Sequence, residues 1–333
     1  MKVFNLGELQ WKQTQLIYHT LANMNIECLL LHSTKQKYVC VGLHQDPRTE
    51  IDINYCKKNN IGIFRRETGG GIVLLDKNQL FFNIILKKSN PIVPRFPQNF
   101  FKKFLQPVIK TCNEFEIKTE FHPICDLVVN GKKISGNGGG ELGECNVLVG
   151  NILLDFNYRQ MTKVINSPKK LKESYYNLMK QNITTVKEEL GYIPSKEKMY
   201  KVLTTKYLEL LGPLEIGEVN EEINNQIDKL DKKYFSDEWM YQRGVKKNGY
   251  EIKIREGVFL FYKIIKTLNG NVEIICQTEE NIIKETIFSG SILSLKDNVG
   301  KIRKKLIGME YKKVDLDLLI YDLIKKYGGV TVA

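Results

Sequence analysis

Four apolar runs of strand length, residues 28–31, 38–43, 72–75 and 80–86, follow one another with few residues of helical pattern between them. That spacing constrains the fold more than any other feature of the chain. A doubly wound parallel sheet needs a helix after each strand, so a chain that omits them is directed to a largely antiparallel or mixed sheet. Leu9, Leu16, Ile17, Leu21 and Met24 recur at helical spacing and predict an amphipathic helix over 8–24. Helical pattern over 98–115, strands over 127–129 and 147–156, and helices over 195–211 and 219–235 follow. Residues 244–249 read as a junction. Beyond it Ile252 and Ile254 alternate with Glu251, Lys253 and Arg255, as a half-buried strand should. Asn269-Gly270-Asn271 reads as a hairpin turn, and helical pattern returns over 297–307 and 315–327. The expected organisation is one domain over 1–243 and a small α+β domain over 244–333.

Composition excludes several classes. With 42% hydrophobic and 10% aromatic residues the chain is not disordered. Residues 1–8 lack the apolar run of a signal peptide, and no apolar stretch is long enough to span a membrane, so a cytoplasmic protein with no membrane partner is expected. Seven cysteines (28, 40, 56, 112, 125, 145 and 276) lie singly, without a C-x-x-C pair, and the histidines number four. Reduced thiols and no protein-built metal site are expected. Lys and Arg total 50 against 38 Asp and Glu, a net charge of +12, which invites nucleic acid, phosphorylated small molecules or an acidic protein. The excess concentrates in 161–180 and 296–313; neither segment forms a nucleic-acid module, so nucleic acid is not the expected partner. A solvated lysine-rich face is the alternative for both.

The chemistry concentrates in two segments. In Arg65-Arg66-Glu67-Thr68-Gly69-Gly70-Gly71-Ile72-Val73, three successive glycines imply a positive φ or a close backbone approach. Glycine amides beside guanidinium groups suit a phosphate or carboxylate. The run is not a Walker loop and, with a strand expected after it, not a dinucleotide fingerprint. In Asp126-Leu127-Val128-Val129-Asn130-Gly131-Lys132-Lys133-Ile134-Ser135-Gly136-Asn137, the Asn-Gly pair predicts a hairpin that sets Asp126 and Lys133 on adjacent strands. Strand alternation lets only one of Lys132 and Lys133 face the site, where a lysine neutralises a phosphate and polarises an acyl carbonyl.

These two segments, with Val41-Gly42-Leu43-His44-Gln45-Asp46-Pro47, resemble the lipoate–protein ligase family in order and spacing. The resemblance implies a mixed, largely antiparallel sheet flanked by helices, and a reaction in two steps. ATP, with Mg2+, would activate lipoate (or octanoate) as an acyl-AMP. A lysine of an acidic carrier, a lipoyl domain of a 2-oxoacid dehydrogenase or the glycine-cleavage H protein, would then take the acyl group. Carried onto this chain, Gly69, Gly70 and Gly71 would line the lipoyl channel, and Arg66 and Thr68 would flank the activated carboxyl and phosphate. Val73, Leu74 and Gln79 would border the adenylate, Asp126 would face the nucleotide, and Lys133 would be the catalytic donor. Gly136, Asn137 and Gly150 complete the implied substrate-binding set. The chain departs from the family pattern in Val73-Leu74-Leu75-Asp76, in Cys125 before the aspartate, and in Leu148-Val149-Gly150-Asn151. A second reading is an ATP-independent octanoyl or lipoyl acyltransferase of the same superfamily, with Cys125 or Cys145 carrying a thioester. A nucleic-acid-binding regulator is a distant third.

Overall fold

Residues 28–31 and 80–86 are apolar at successive rather than alternate positions, Asn83 excepted, which is the pattern of strands covered on both faces. In the computed structural model they lie at the centre of an eight-stranded sheet. The structure describes residues 1–242, 249–267, 270–290 and 296–311, with positions 318, 319, 322 and 326. The chain divides into two units, Met1–Asn166 with Met179–Val245, and Ser167–Leu178 with Lys246–Ala333.

The strands of the first unit are β1 (Lys2–Leu9), β2 (Cys28–Thr34), β3 (Tyr38–Val41), β4 (Gly62–Arg65), β5 (Val73–Leu75), β6 (Gln79–Lys87), β7 (Glu120–His122), β8 (Asp126–Val129), β9 (Lys132–Leu142), β10 (Cys145–Leu153) and β11 (Glu215–Ile216). Eight of them form one sheet in the order β11-β1-β2-β6-β10-β9-β8-β7, and β4-β3-β5 form a second. Only the β11–β1 and β1–β2 pairs of the large sheet are parallel, so it is mixed and mostly antiparallel. The helices are α1 (Trp11–Asn23), α2 (Pro47–Glu50), α3 (Ile53–Lys58), α4 (Pro97–Phe104), α5 (Gln106–Glu114), α6 (Tyr158–Val164), α7 (Lys169–Asn182, up to Leu178 part of the second unit), α8 (Val186–Leu190), α9 (Lys196–Leu211), α10 (Glu221–Tyr234) and α11 (Asp237–Met240). Leu29 and Leu31 of β2 pack with Phe104, Val108, Leu203 and Tyr207 from α4, α5 and α9. Cys28 and Leu30, one residue out of phase, pack with Ile17 and Leu21 of α1 and Ile223 of α10. Successive residues of one strand therefore enter two cores, which is why the run does not alternate.

Over the first 115 residues the structure differs from the sequence pattern in three places. Residues 2–9 form β1, so the first helix begins at Trp11 rather than residue 8. Leu9, counted into the helical period, is the last residue of that strand. Between β3 and β5 lie α2, α3 and β4; β4 pairs parallel with β3, and the two short helices supply the crossover. The helical stretch over 98–115 is two helices, because Pro107 lacks an N–H and starts a new one after Leu105.

In the second unit β12 (Tyr250–Arg255), β13 (Val258–Thr267), β14 (Gly270–Glu279) and β15 (Ile282–Gly290) make an antiparallel sheet in chain order. Ile302 and Leu306 of α12 (Lys296–Leu306) join Val272, Ile274, Ile283 and Phe288 in its core. Thr267 pairs with Gly270, but Asn269 of the expected turn lies outside the described residues. Most of the expected junction at 244–249 and of the expected helix over 315–327 does so too.

One close approach locks the small sheet to the glycine loop. A Cβ built on Gly42, just after β3, would land on the carbonyl oxygen of Gly70, whose φ is +99°. Gly42→Ala is therefore expected to cost about 1–3 kcal/mol of stability through overpacking against rigid backbone. Gly71→Ala, where a Cβ meets nothing within 4 Å, should change stability by less than about 0.5 kcal/mol. Urea midpoints of the two variants test this; equal midpoints would remove the close approach from the account.

The cores also bury two histidines. His19 donates its Nδ1–H to the Gln15 carbonyl at 2.7 Å, and Nε2 of His32 meets Asn83 Oδ1 at 3.1 Å. Burial pushes both down to about 4 from an ordinary value of 6.5. The unfolded chain thus binds protons below pH 6.5 that the folded chain refuses until about pH 4. Their contribution to stability is complete above pH 6.5 and is lost as the pH falls from 6.5 towards 4. Denaturant midpoints at pH 7.5, 6 and 5 should fall in that order, and a flat series would contradict it.

Candidate active site

The expected hairpin forms. Asn130 (φ +49°) and Gly131 (φ +76°) are the two left-handed residues of a tight turn between β8 and β9, with Val129 opposite Lys132 and Val128 opposite Lys133. Alternation sends Lys132 to solvent and turns Lys133 inward. The Lys133 Nζ lies 2.7 Å from Oδ1 of Asp126, a carboxylate whose side chain is 2% exposed. The two residues are diagonal neighbours on one face of the strand pair, a spacing that long side chains bridge. The Lys133 carbonyl accepts the amide of Thr184 at 2.9 Å, which pins the strand from its other side. An ammonium held here brings a positive charge to a site whose own counter-charge is buried.

Further along β9, Asn137 and Cys125 are joined twice. The Asn137 side-chain amide donates to the Cys125 carbonyl at 2.8 Å, and the Cys125 thiol donates to the Asn137 carbonyl at 3.3 Å. Gly150, across on β10, leaves room for this: a Cβ there would strike the Phe82 ring and the Asn137 side chain. Cys125 therefore belongs to the same corner as Lys133. Cys145 does not. It begins β10, six residues from Asn151, or roughly 20 Å along the strand. Its buried thiol is pushed up by burial and by Glu27, and it lies 3.7 Å from Asn25 Oδ1.

The glycine loop joins β4 to β5, and a strand does follow it. Both arginines before it serve the backbone. Arg66 donates to the carbonyls of Cys40 (3.2 Å), Gly69 (2.8 Å) and Gly71 (2.9 Å). Arg65 donates to the Trp239 carbonyl and the Gln242 side chain, each at 3.0 Å, and to the Leu43 carbonyl. The sequence reading set these guanidinium groups beside an anion; here they satisfy loop carbonyls that burial would otherwise orphan. Because each peptide is trans, carbonyls turned towards Arg66 turn the amides of Gly70 and Ile72 the opposite way. The loop thus presents N–H groups on the face away from the guanidinium, which is the polarity an anionic ligand needs.

The loop packs against β9, the strand that also carries Lys133. A Cβ on Gly140 of β9 would touch the Thr68 methyl at 3.9 Å, and Thr68 itself is 1% exposed with its hydroxyl unpartnered among the described residues. Leu74 is buried after the half-exposed Val73, and Gln79 is buried at the start of β6. Several residues here escaped the sequence reading. Nε2 of His19 lies 3.5 Å from the Glu67 amide. Lys233 pairs with the Glu67 carboxylate at 2.6 Å, and the Trp239 indole donates to the Arg65 carbonyl at 2.9 Å. Burial raises Glu67, but the Lys233 bond and charge outweigh it and hold the carboxyl below its usual range. These partners lie up to 174 residues away in sequence, and no local pattern marks them. Asn151 alone left a trace, at a departure from the family pattern.

Among the described residues no group of three or more His, Cys, Asp or Glu is placed to hold a metal, and no helix is long and apolar enough to cross a membrane. The model of the lipoyl protein ligase A/B catalytic domain matches residues 7–208. A probable lipoate-protein ligase A of Mycoplasma pneumoniae is 25% identical over 280 residues, covering 82% of this chain and 76% of its own. Lipoate–protein ligase 2 of Staphylococcus aureus is 27% identical over 310 residues, covering 88% and 84%. Octanoyltransferase LipM of Kyrpidia tusciae is 22% identical over 239 residues, covering 65% and 87%. Among solved structures, a chain of the archaeal lipoylation system of Thermoplasma acidophilum, a bi-partite lipoate protein ligase with its E2 lipoyl domain, has a TM-score of 0.64 at 19% identity over 74% of this chain and 98% of that one. A lipoate-protein ligase A bound with ATP has a TM-score of 0.60 at 19% identity, over 72% and 98%. At such identities the structures speak for the fold; the family follows from the match to 7–208, which takes in both the glycine loop and the Lys133 hairpin. By that match this chain is a member of the lipoyl protein ligase A/B catalytic-domain family.

Proposed function

We propose that the chain is an ATP-dependent lipoate–protein ligase. The observation that carries the proposal is the Lys133–Asp126 pair at 2.7 Å, on the strand β9 against which the glycine loop packs, the loop turning its amides away from Arg66. In the first step a carboxylate oxygen of lipoate attacks the α-phosphorus of ATP, the bond to the bridging oxygen breaks, and pyrophosphate leaves. Lys133 neutralises charge on the phosphate, and the loop amides receive the carboxyl end. Mg2+ arrives with the nucleotide. In the second step a carrier lysine amine attacks the acyl carbonyl, a C–N bond forms, and AMP leaves. Lys133 there stabilises the oxyanion and is not a nucleophile.

Coverage supports this reading over the acyltransferase. Matches to the named ligases span 82% and 88% of the chain, whereas the octanoyltransferase match spans 65%. Lipoate is the proposed acyl donor and lipoyl-carrier proteins the proposed partners. The cytoplasm is the proposed compartment.

The deciding measurement is lipoate-dependent ATP–pyrophosphate exchange, followed by intact mass of an apo-lipoyl domain. Lys133→Ala should lower exchange by roughly 10²–10³, and Lys132→Ala should change it little. Because the Lys133 ammonium also neutralises a buried carboxylate, rates are compared per folded molecule. Cys125→Ser should retain turnover. Loss of turnover in Cys125→Ser, with an acyl group trapped on the wild-type enzyme and no exchange, would replace the ligase by a thioester acyltransferase.

The net charge of +12 is proposed to dock acidic carriers, first through the exposed Lys301, Arg303 and Lys304 of α12 and second through 161–180. Charge reversal of those three to Glu should lower kcat/KM for the carrier at low salt and flatten its salt dependence, leaving pyrophosphate exchange unchanged. Unchanged carrier kinetics would return this face to simple solvation.

A further inference from the structure

Three hydrogen bonds run in series across the site. The Gly136 amide on β9 donates to Asn151 Oδ1 at 2.9 Å. The Asn151 Nδ2 on β10 donates to Gln79 Oε1 at 2.5 Å, and the Gln79 Nε2 on β6 donates to the Leu74 carbonyl on β5 at 3.0 Å. Leu153 stands opposite Gln79 in the β10–β6 ladder, so Asn151 and Gln79 are diagonal neighbours on one face and their amides meet. The series begins in the eight-stranded sheet and ends in the three-stranded one, crossing between two backbone ladders by side chains. Both amides are at least nine-tenths buried, so leaving any of these bonds unmade carries a desolvation penalty.

Its two ends are the two halves of the site. Gly136 lies against Lys133: a Cβ built on it would sit 3.8 Å from Lys133 Cε, and 2.9 Å from the Asn151 oxygen. Leu74 comes three residues after Gly71, the last glycine of the loop. We infer that Asn151, acting with Gln79, is a positioning residue that sets the separation of the Lys133 strand from the glycine-loop strand. Neither side chain need touch the reacting atoms. Gln79, which family resemblance set at the adenylate border, has both ends of its amide engaged in this tie.

The inference rests on the proposed ligase reading for what each half holds: phosphate at Lys133, carboxyl at the loop. Adenylation needs both ends aligned, whereas binding of either substrate needs mainly its own half. Loss of the tie should therefore appear in kcat and leave KM nearly unchanged.

The test uses the full-length enzyme and lipoate-dependent pyrophosphate exchange, with the folded fraction measured for every variant. Asn151→Ala and Gln79→Ala should each lower kcat about 10- to 100-fold, with KM for ATP and lipoate within about twofold. The double alanine variant should be no worse than either single, since one series is already broken. Exchanging the amides, Gln79→Asn with Asn151→Gln, preserves their summed reach and should recover most of the rate that each single exchange loses. Wild-type kcat per folded molecule in Asn151→Ala, losses that multiply in the double variant, or failure of the exchanged pair would each overturn the inference. If the wild-type enzyme shows no exchange, the ligase reading falls instead. The same variants are then measured in octanoyl transfer from a thioester to a lipoyl-domain lysine, where the same kcat pattern supports the tie and wild-type rates overturn it.

Discussion

The guanidinium of Arg66 lies among the carbonyls of Cys40, Gly69 and Gly71, and the shape of the site depends on that placement. Three consecutive glycines have more conformational freedom than any other tripeptide, so they hold one geometry only if something outside them fixes it. Arg66 does so from within the fold, 8% exposed, as a planar fork that several carbonyls share. The close approach of Gly42 to Gly70 then removes the remaining room. Arg65, Trp239 and Lys233 brace the same loop from behind. A loop braced in this way has its amides oriented by the protein itself, which is the arrangement under which backbone amides stabilise charge effectively.

The second half of the site is made in the same way, by a local element held by distant ones. A two-residue Asn-Gly turn sets which lysine faces inward, and a buried aspartate meets it at 2.7 Å. Replacing Lys133 would take the ammonium away from a buried carboxylate, which is costly. Stability and the proposed chemistry are therefore coupled at this position. That coupling separates Lys133 from Lys132, whose side chain is in water.

Much of the fold was legible in the run of residues. The bare spacing of apolar segments excluded alternating β-α order, and the mixed, mostly antiparallel sheet follows from it. The Asn130-Gly131 turn and the inward choice of Lys133 follow from turn chemistry and a period of two. What misled was short range as well. Leu9 fits a helical period by accident of spacing, and α2, α3 and β4 are each too short for periodicity to register.

The sequence by itself determined the local geometries: a left-handed turn, a glycine-rich connection, strands apolar on both faces. Tertiary structure decided the rest. It turned the two arginines onto backbone carbonyls, left Cys125 beside Asn137 while carrying Cys145 to the far end of β10, and joined Gly136 to Leu74 through Asn151 and Gln79. The physical reason is range. Turn preference and strand alternation act between neighbours in sequence, whereas the satisfaction of a buried polar group depends on whatever the fold brings within about 3 Å of it.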